Sequence, residues 1–406
     1  MASSVKNEPR LRLRITAAAQ AQVRAGHPWV FEGSISEQNR SARIGELAVI
    51  YDKADRFLAI GLYDPSSPIR VRLLHTGAPA VIDQSWWTNR LAEATSRRMN
   101  VFDVRTTGFR CIHGESDGWP GLVLDRYDAT YVLKLYTGAW LPLLPKIVPL
   151  LTETFSPERI VLRLSRNISK LAAEHKKADG QIISGPELNE PVGFLESGIS
   201  FEADVIRGQK TGFFLDQREN RRHVERLAAG RSVLNTFSFS GGFSLYAARG
   251  GAASVTDLDI SAHALESARR NFKRNSDLPA VLACRHECIQ ADAFKWLKEA
   301  PKGKKFGLVV LDPPALAKRQ SERPQALRAY EKLLAAGIGR LERGGILVAA
   351  SCTAQITENE FFERARTAAR ASQRPFQELF TTAHPIDHPA SFPEAKYLKC
   401  IYLKFL

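Results

Sequence analysis

The sequence predicts an α/β fold in its C-terminal half, a mostly parallel sheet with helices on both faces, preceded by a small β-rich unit and a smaller α/β unit. Three observations predict it. From about Val192 onward, apolar strand-like runs alternate with helical patterns, which implies parallel strands joined by helical crossovers. The first of those strands, at Val233-Leu234, leads into Gly241-Gly242 and a helix of small and apolar residues. Near the N-terminus, short alternating runs such as Leu47-Ala-Val-Ile-Tyr and Ile69-Arg-Val-Arg-Leu are separated by Gly26, Pro28, Gly33, Gly45, Asp52 and Asp64-Pro65.

The elements follow in order. Residues from about Leu11 to Leu74 form the β-rich unit, and a helix is expected near Trp86 to Met99. From about Phe109 to Pro191, Leu122-Val-Leu and Tyr131-Val-Leu-Lys-Leu are strands of the second unit. In the C-terminal half, Ala253 to Leu258, Phe306 to Leu311 and Ile346 to Ala350 are strands. The helix Ser261 to Asn275 takes Ser261 as N-cap and turns Leu265, Ala268 and Phe272 to the sheet. Arg269, Arg270, Lys273 and Arg274 are then expected on a solvated face. No short-period repeat or low-complexity tract interrupts the pattern.

A chain of 406 residues suits two or three domains, and 44% hydrophobic with 25% charged residues suits a packed core rather than disorder. Lys+Arg outnumber Asp+Glu by 57 to 43, a formal net charge of +14. That excess suits a polyanion, because basic side chains displace counterions from a phosphate backbone. Cys111, Cys284, Cys288, Cys352 and Cys400 are too few and too scattered for a disulfide framework. No apolar leader opens the sequence, and the most apolar stretch, Leu141 to Leu151, is broken by Pro142, Pro145, Lys146 and Pro149. The expectation is a cytoplasmic protein with no membrane partner.

In an open parallel sheet, ligands lie outside the carboxyl ends of the strands. Val233-Leu-Asn-Thr-Phe-Ser-Phe-Ser-Gly-Gly-Phe-Ser244 is a strand, a glycine turn and a helix start, where backbone can approach a ligand closely. Gly241 and Gly242 are adjacent, so the dinucleotide G-x-G-x-x-G spacing is absent. The second strand ends at Asp257-Leu-Asp259, where a carboxylate can accept hydrogen bonds from both hydroxyls of an adenosyl ribose. Asp292, after the third strand, could meet the adenine amine. Each element alone is ordinary turn or cap chemistry; together they point to an adenosyl cofactor of methyl transfer.

Asp312-Pro313-Pro314 follows the strand ending at Leu311, and the prolines hold the Asp at the strand's mouth. Ser351-Cys352-Thr353 ends the next strand. If the two strands are neighbours, Asp312 and Cys352 face one pocket. A thiolate there could add to C6 of a pyrimidine and make C5 nucleophilic enough to take a methyl group. Asp312 could bind the Watson–Crick edge. The alternatives are a capping Asp and a buried structural cysteine. Cys284 and Cys288, with His286 between them, lack a second zinc-like pair and are expected to be structural, in a loop or helix start, so no metal is expected. Cys111 and Cys400 lie in apolar stretches.

The string Gly208-Gln-Lys-Thr-Gly-Phe-Phe-Leu-Asp-Gln-Arg-Glu-Asn-Arg221, with Phe239-Ser-Gly-Gly-Phe-Ser, resembles the bacterial large-subunit ribosomal RNA methyltransferases that make 5-methylcytosine and carry an N-terminal PUA domain. Gly26-His-Pro-Trp-Val-Phe31, His113-Gly-Glu-Ser-Asp117, Leu311-Asp-Pro-Pro314, Ser351-Cys352, and Asp387-His-Pro with Pro393-Glu and Tyr397-Leu-Lys agree. The resemblance implies a PUA-like RNA-binding domain over 8–77, a helical linker and central α/β domain over 83–191, and a Rossmann-like class I methyltransferase domain with a seven-stranded sheet over 192–406. It implies S-adenosylmethionine as cofactor, large-subunit ribosomal RNA as substrate, Cys352 as nucleophile and, frequently, a homodimer. Phe214, Asp216, Gln217 and Arg218 match the motif beside the cofactor, and Asn235, Phe237, Ser238, Gly241, Asp259 and Ile260 with Asp292 and Asp312 complete the expected contacts. The sequence departs from the family at Ala395, usually Gly, and at Ala315-Leu316 after the double proline. It also lacks the second cysteine that many cytosine-C5 enzymes carry in the Asp-Pro-Pro region, which makes Asp312 the candidate base for the C5 proton.

RNA contacts are expected from Arg12, Arg14 and Arg24 of the β-rich unit and from Lys210. Trp29 is expected in the core. Two rival readings stand beside this one: an N-methyltransferase acting on a purine of ribosomal RNA, and an RNA-binding assembly factor without catalysis.

Overall fold

The structure is a computed structural model that describes residues 9–301 and 303–406. The first sheet has six strands: β1 (Leu11–Ile15), β2 (Trp29–Phe31), β3 (Ile35–Gln38), β4 (Leu47–Tyr51), β5 (Phe57–Tyr63) and β6 (Ile69–Thr76), in the order β2-β6-β5-β4-β1-β3. Alternation along β1 buries Leu11, Leu13 and Ile15 and turns Arg12 and Arg14 outward. Helix α1 (Ala17–Arg24) packs Ala19 and Val23 into the same core, and Thr16 caps it by accepting from the Ala19 N–H at 3.4 Å.

Helix α2 (Gln84–Ser96) starts at its Asp83 cap, whose carboxylate accepts from the Trp86 N–H at 2.9 Å. It stops short of Met99 because Arg97 and Arg98 turn to the buried Asp117, each at 2.6 Å. The second sheet comprises β7 (Gly108–His113), β8 (Leu122–Tyr127), β9 (Thr130–Leu135), β10 (Arg159–Leu164) and β11 (Gln181–Ser184), ordered β11-β10-β9-β8-β7. Helices α3 (Leu144–Phe155) and α4 (Ser169–Glu174) fall within it in the chain. Its core centres on three indoles. The Trp87 ring lies 5.2 Å from Trp119 and 5.5 Å from Trp140, and Trp140 donates to the Pro120 carbonyl at 2.8 Å.

These two sheets form one compact unit, up to Val192, joined by residues Ala203–Phe213. The expected boundary at 192 is therefore crossed again. The reason is specific bonding: Arg163 donates to the carbonyls of Val205 at 3.1 Å and Gly208 at 3.0 Å, and the Thr211 hydroxyl donates to Asp125 at 2.6 Å. The second unit contains Gly193–Glu202 and Phe214–Leu406. Strands β12 (Val192–Glu196) and β13 (Ile199–Ala203) pair with each other, and α5 (Arg218–Leu227) leads into the main sheet.

That sheet has seven strands. Strand β14 (Ser232–Thr236) is followed by α6 (Gly242–Arg249), β15 (Ser254–Asp259), α7 (Ala262–Arg274), α8 (Pro279–Ala283), β16 (Arg285–Gln290) and α9 (Ala293–Glu299). Then come β17 (Phe306–Leu311), α10 (Arg323–Ile338), β18 (Leu341–Ser351), α11 (Glu358–Ala371), β19 (Phe376–Thr382) and β20 (Lys399–Phe405). The order is β16-β15-β14-β17-β18-β20-β19, and only β20 runs antiparallel to its neighbours. The expected mostly parallel seven-stranded sheet is thus present. Every residue of β17 is buried, as a strand covered on both faces requires. Strand order reverses between β14 and β17, which makes their carboxyl ends the switch point. Ser261 caps α7 as expected, and Leu265, Ala268 and Phe272 are buried. The basic face of α7 is solvated as expected, with Arg269, Arg270, Lys273 and Arg274 all exposed; Arg270 also pairs with Glu202 at 2.6 Å and Arg274 lies 3.7 Å from it.

Removing the central indole should expose how much of the first unit depends on it. Trp140→Ala should cost about 3–5 kcal/mol in urea unfolding of that unit; a loss under about 1 kcal/mol would show that the indoles are not its core.

Candidate active site

The loop after β14 is held in an unusual shape. Phe237 and Phe239 have φ of 55° and 48°, a left-handed backbone that costs about 1–3 kcal/mol per residue. Three bonds hold it: the Ser238 N–H to the Leu258 carbonyl at 3.2 Å, the Phe239 N–H to Asp259 Oδ2 at 2.9 Å, and the Gly241 N–H to the Ser238 carbonyl at 2.9 Å. Gly241 has φ +76°, and a Cβ there would lie 3.0 Å from both Asp257 Oδ2 and the Ala268 methyl. This glycine is required by space as well as by conformation.

Asp259 accepts from Phe239 through one oxygen and from the Ser261 N–H at 2.8 Å through the other. A carboxylate has about four lone-pair positions, so each oxygen keeps one for a diol. Ile260 beside it is 68% exposed, an apolar face next to a polar clasp. The buried hydroxyl of Ser238 and the side-chain oxygen Oδ1 of Asn235 have no protein partner. Polar atoms so placed await a polar ligand. The glycine cradle, the clasp and these buried groups fit an adenosyl group. Two further expected contacts also bond the protein. Asn235 gives its amide to Asp257 at 2.9 Å and to Ser244 at 3.1 Å, in the floor of the loop. Asp292 caps α9, accepting from the Lys295 N–H at 2.9 Å.

Asp257 is fully buried and supports that floor. Oδ1 accepts from Asn235 and from the Ser244 hydroxyl at 2.6 Å, and Oδ2 bonds His286 Nε2 at 2.9 Å. Cys288 lies 3.5 Å from the same nitrogen, in strand β16 rather than in a loop. Asp257, His286 and Cys288 thus bring three donor atoms together. The 2.9 Å separation of nitrogen and oxygen fits a shared proton. Two ligands on a tetrahedral zinc, with bonds of about 2.0–2.1 Å, lie about 3.3 Å apart. Burial lowers the imidazole pKa, but the bonds to Asp257 and Cys288 outweigh it and raise it to about 9. As it stands, the geometry suits a buried imidazolium–carboxylate pair.

At the other side of the switch point, β17 and β18 are parallel neighbours with Leu311 opposite Ala349. This register brings Asp312 and Cys352 to adjacent strand ends, and Cys352 Sγ lies 3.9 Å from the Pro313 carbonyl. Both side chains are half-buried. Asp312 is aimed by a chain of bonds. Gln217 donates to Asp312 Oδ1 at 3.0 Å, and Asn220 donates to Gln217 at 2.6 Å. The Thr382 and Tyr402 hydroxyls donate to Asn220 at 2.5 and 3.0 Å. Below Cys352, the buried Tyr330 hydroxyl bonds Ser351 at 2.9 Å and Thr353 at 2.8 Å. Thr353 accepts in turn from the Leu316 N–H at 3.1 Å, which joins the loops after the two strands. Nothing in the sequence marks Tyr330, whose partners lie on another element.

The rest of the long motif braces the unit. Arg218 is fully buried with Nη2 at 2.6 Å from Asp387. Asp216 accepts from the Tyr397 hydroxyl at 2.9 Å. Phe214 packs edge-on against Phe239, with centroids 5.0 Å apart. In the first unit, Arg12 and Arg14 pair with Asp55 at 3.2 Å, Arg14 also with Glu37 at 2.6 Å, and Arg24 with Asp52 at 2.9 Å. Trp29 is half-buried and donates to Glu115 at 2.7 Å. Lys210 is exposed, with φ 53°.

A model of the S-adenosylmethionine-dependent methyltransferases matches residues 169–403, and a model of PUA-like domains matches residues 13–76. The chain belongs to the S-adenosylmethionine-dependent methyltransferase family. Its cofactor is S-adenosylmethionine. This methyltransferase is 54% identical over 410 residues, and the full length of both chains, to a protein of Deinococcus radiodurans named ribosomal RNA large subunit methyltransferase. It is 34% identical to the ribosomal RNA large subunit methyltransferase I of Photobacterium profundum, over 94% of this chain and 96% of that one. Among solved structures, a candidate S-adenosylmethionine-dependent methyltransferase from Streptococcus mutans shares the fold, with TM-score 0.81 and 21% identity over 97% of this chain and 99% of that one. A methyltransferase solved with SAH has TM-score 0.82 and 22% identity over the same shares of the two chains. No helix of the described residues is long and apolar enough to cross a membrane.

Two tests address the cradle. Gly241→Ala should weaken S-adenosylmethionine binding about tenfold or more in calorimetry, since a methyl meets the floor and φ is unfavourable; unchanged affinity would remove the glycine from the cofactor site. The His286 pKa is raised in the folded state, so the stability its pair with Asp257 contributes is complete below about pH 6.5 and is lost as pH rises through about 9. The melting temperature of the wild type should therefore fall more steeply from pH 7 to 10 than that of His286→Gln. Equal slopes would mean that the imidazole is uncharged.

Proposed function

We propose that this methyltransferase modifies C5 of a cytosine in large-subunit ribosomal RNA through a covalent bond from Cys352. The names of the relatives support ribosomal RNA as substrate. The observation that carries the chemistry is the pairing of Cys352 with Asp312 at adjacent strand ends, across the switch point from the cofactor cradle. Asp259, Gly241, Phe239 and Ile260 would hold the adenosyl group. When bound, S-adenosylmethionine supplies the electrophilic methyl that an activated C5 takes.

The protein's own residues do the rest. The Cys352 thiolate adds to C6, which places an electron pair at C5. Asp312, aimed by Gln217, binds the ring edge and lies on the thiol's side of the sheet to take the C5 proton. Loss of that proton restores the C5–C6 double bond and expels the thiolate. Ala315 follows the double proline where a purine N-methyltransferase would gain from a stacking ring, so the residues present favour the pyrimidine. RNA would be captured by the PUA-like unit. The ion pairs of Arg12 and Arg14 lie at the surface and are screened by solvent, so a phosphate can displace their carboxylates. Arg24 and the exposed Lys210 add to the basic surface.

Tritiated methyl transfer to ribosomal RNA, followed by bisulfite sequencing, tests the reading. Transfer should occur at one cytosine and fall by about a thousandfold or more in Cys352→Ala. Transfer that survives the substitution, with no bisulfite-resistant cytosine, would instead identify an N-methyltransferase.

A further inference from the structure

Lys399 begins β20 directly opposite Ser351 of β18, one residue before Cys352. Its side chain is fully buried. The ammonium donates to the Thr353 carbonyl at 2.6 Å and to the Ile356 carbonyl at 2.5 Å, both in the loop that follows Cys352. Among the described residues, no carboxylate lies within ion-pair distance of it. A buried ammonium held by neutral carbonyls carries a desolvation cost that a methionine would not. Two backbone hydrogen bonds return only part of that. The charge needs a use.

We propose that Lys399 is the positioning residue of the Cys352 nucleophile, clamping the 353–356 loop and holding the thiol as thiolate by its buried positive charge.

The surrounding groups agree. Burial lowers the Lys399 pKa to about 8, and the first acidic group that opposes this is Cys352, followed by Glu358 at the start of α11. Such coupling is reciprocal: a thiolate that favours the ammonium is itself favoured by it. The other ionisable groups near this pair carry little compensating charge. His384 is kept neutral, its pKa lowered to about 4 by burial, and it accepts from the N–H groups of Tyr397 and Leu398 at 3.1 and 3.0 Å. Tyr330 faces Ser351 and Thr353 from α10 with its phenol pKa raised to about 12, chiefly by burial. Asp312, across from Cys352 at the end of β17, opposes a thiolate, so the ammonium has a repulsion to overcome as well as a desolvation cost. Cys400, the next residue, is fully buried and its thiol is pushed up by burial. Lys399 shares the face of Ser351, directly opposite it, and its ammonium reaches the Cys352 turn through the carbonyls of Thr353 and Ile356.

The catalytic meaning of this assignment rests on the nucleophilic reading of Cys352, but the effect on the thiol is measurable without turnover. In the full-length protein, iodoacetamide alkylation is followed against pH by peptide mass spectrometry. Cys288, the other partly exposed cysteine, serves as internal control. In the wild type, Cys352 should titrate below the free-cysteine value of about 8.5. Lys399→Met should raise its midpoint by about one unit or more and leave Cys288 unchanged, while Lys399→Arg keeps most of the depression. An unshifted Cys352 in the folded Met variant, or parallel changes at both cysteines, overturns the proposal. Should the Met variant not fold, a wild-type midpoint at or above about 8.5 overturns it equally. Cys352→Ala that still methylates would sink the nucleophile and leave the alkylation result standing, so the two failures are distinguishable.

Discussion

The parallel register between β17 and β18 is the constraint on which the site depends. With Leu311 opposite Ala349, the strands end side by side, and the turn at Asp312-Pro313-Pro314 meets the Ser351-Cys352-Thr353 turn. A slip of one residue would send Cys352 to the other face of the sheet. The buried hydroxyl of Tyr330 secures this arrangement, because it bonds Ser351 and Thr353 while Thr353 receives the Leu316 N–H. On the other side of β18, β20 adds an antiparallel strand that delivers Lys399 beneath the same turn.

Around this register the protein buries several ion pairs. Arg218 with Asp387, Arg221 with Glu196 and Asp257 with His286 are all removed from water. Such pairs add little net stability over apolar replacements, yet breaking one partner is costly. Their value is geometric. Arg221 ties α5 to the β12–β13 hairpin, Arg218 ties it to the C-terminal segment, and Asn220 and Gln217 from the same stretch reach Asp312. The long motif thus acts as a frame that aims one carboxylate.

The strained loop after β14 is the counterpart on the cofactor side. Two left-handed phenylalanines persist because Asp259 and the Leu258 carbonyl hold the intervening amides, and because Asp257 fills the space a larger residue than Gly241 would need. Asp259 therefore shapes the loop and, in the proposed reading, keeps its remaining lone pairs for a ribose.

By itself the sequence determined the local features. The apolar runs, the Ser261 cap, the glycine turn, the Asp-Pro-Pro stop and the placement of Asp259, Asp312 and Cys352 at strand ends are all set by neighbours a few residues away, where periodicity and turn chemistry are legible. Tertiary structure alone decided the pairings between distant residues: His286 on Asp257, Gln217 on Asp312, Tyr397 on Asp216, Lys399 beneath Cys352, and the return of residues 203–213 to the first unit. Cys288, expected in a loop or helix start, sits in a strand beside His286, and Arg270, exposed as expected, also pairs with Glu202. These contacts depend on strand order and register, which a one-dimensional pattern leaves open because every buried polar group chooses its partner from whatever the fold brings within about 3 Å.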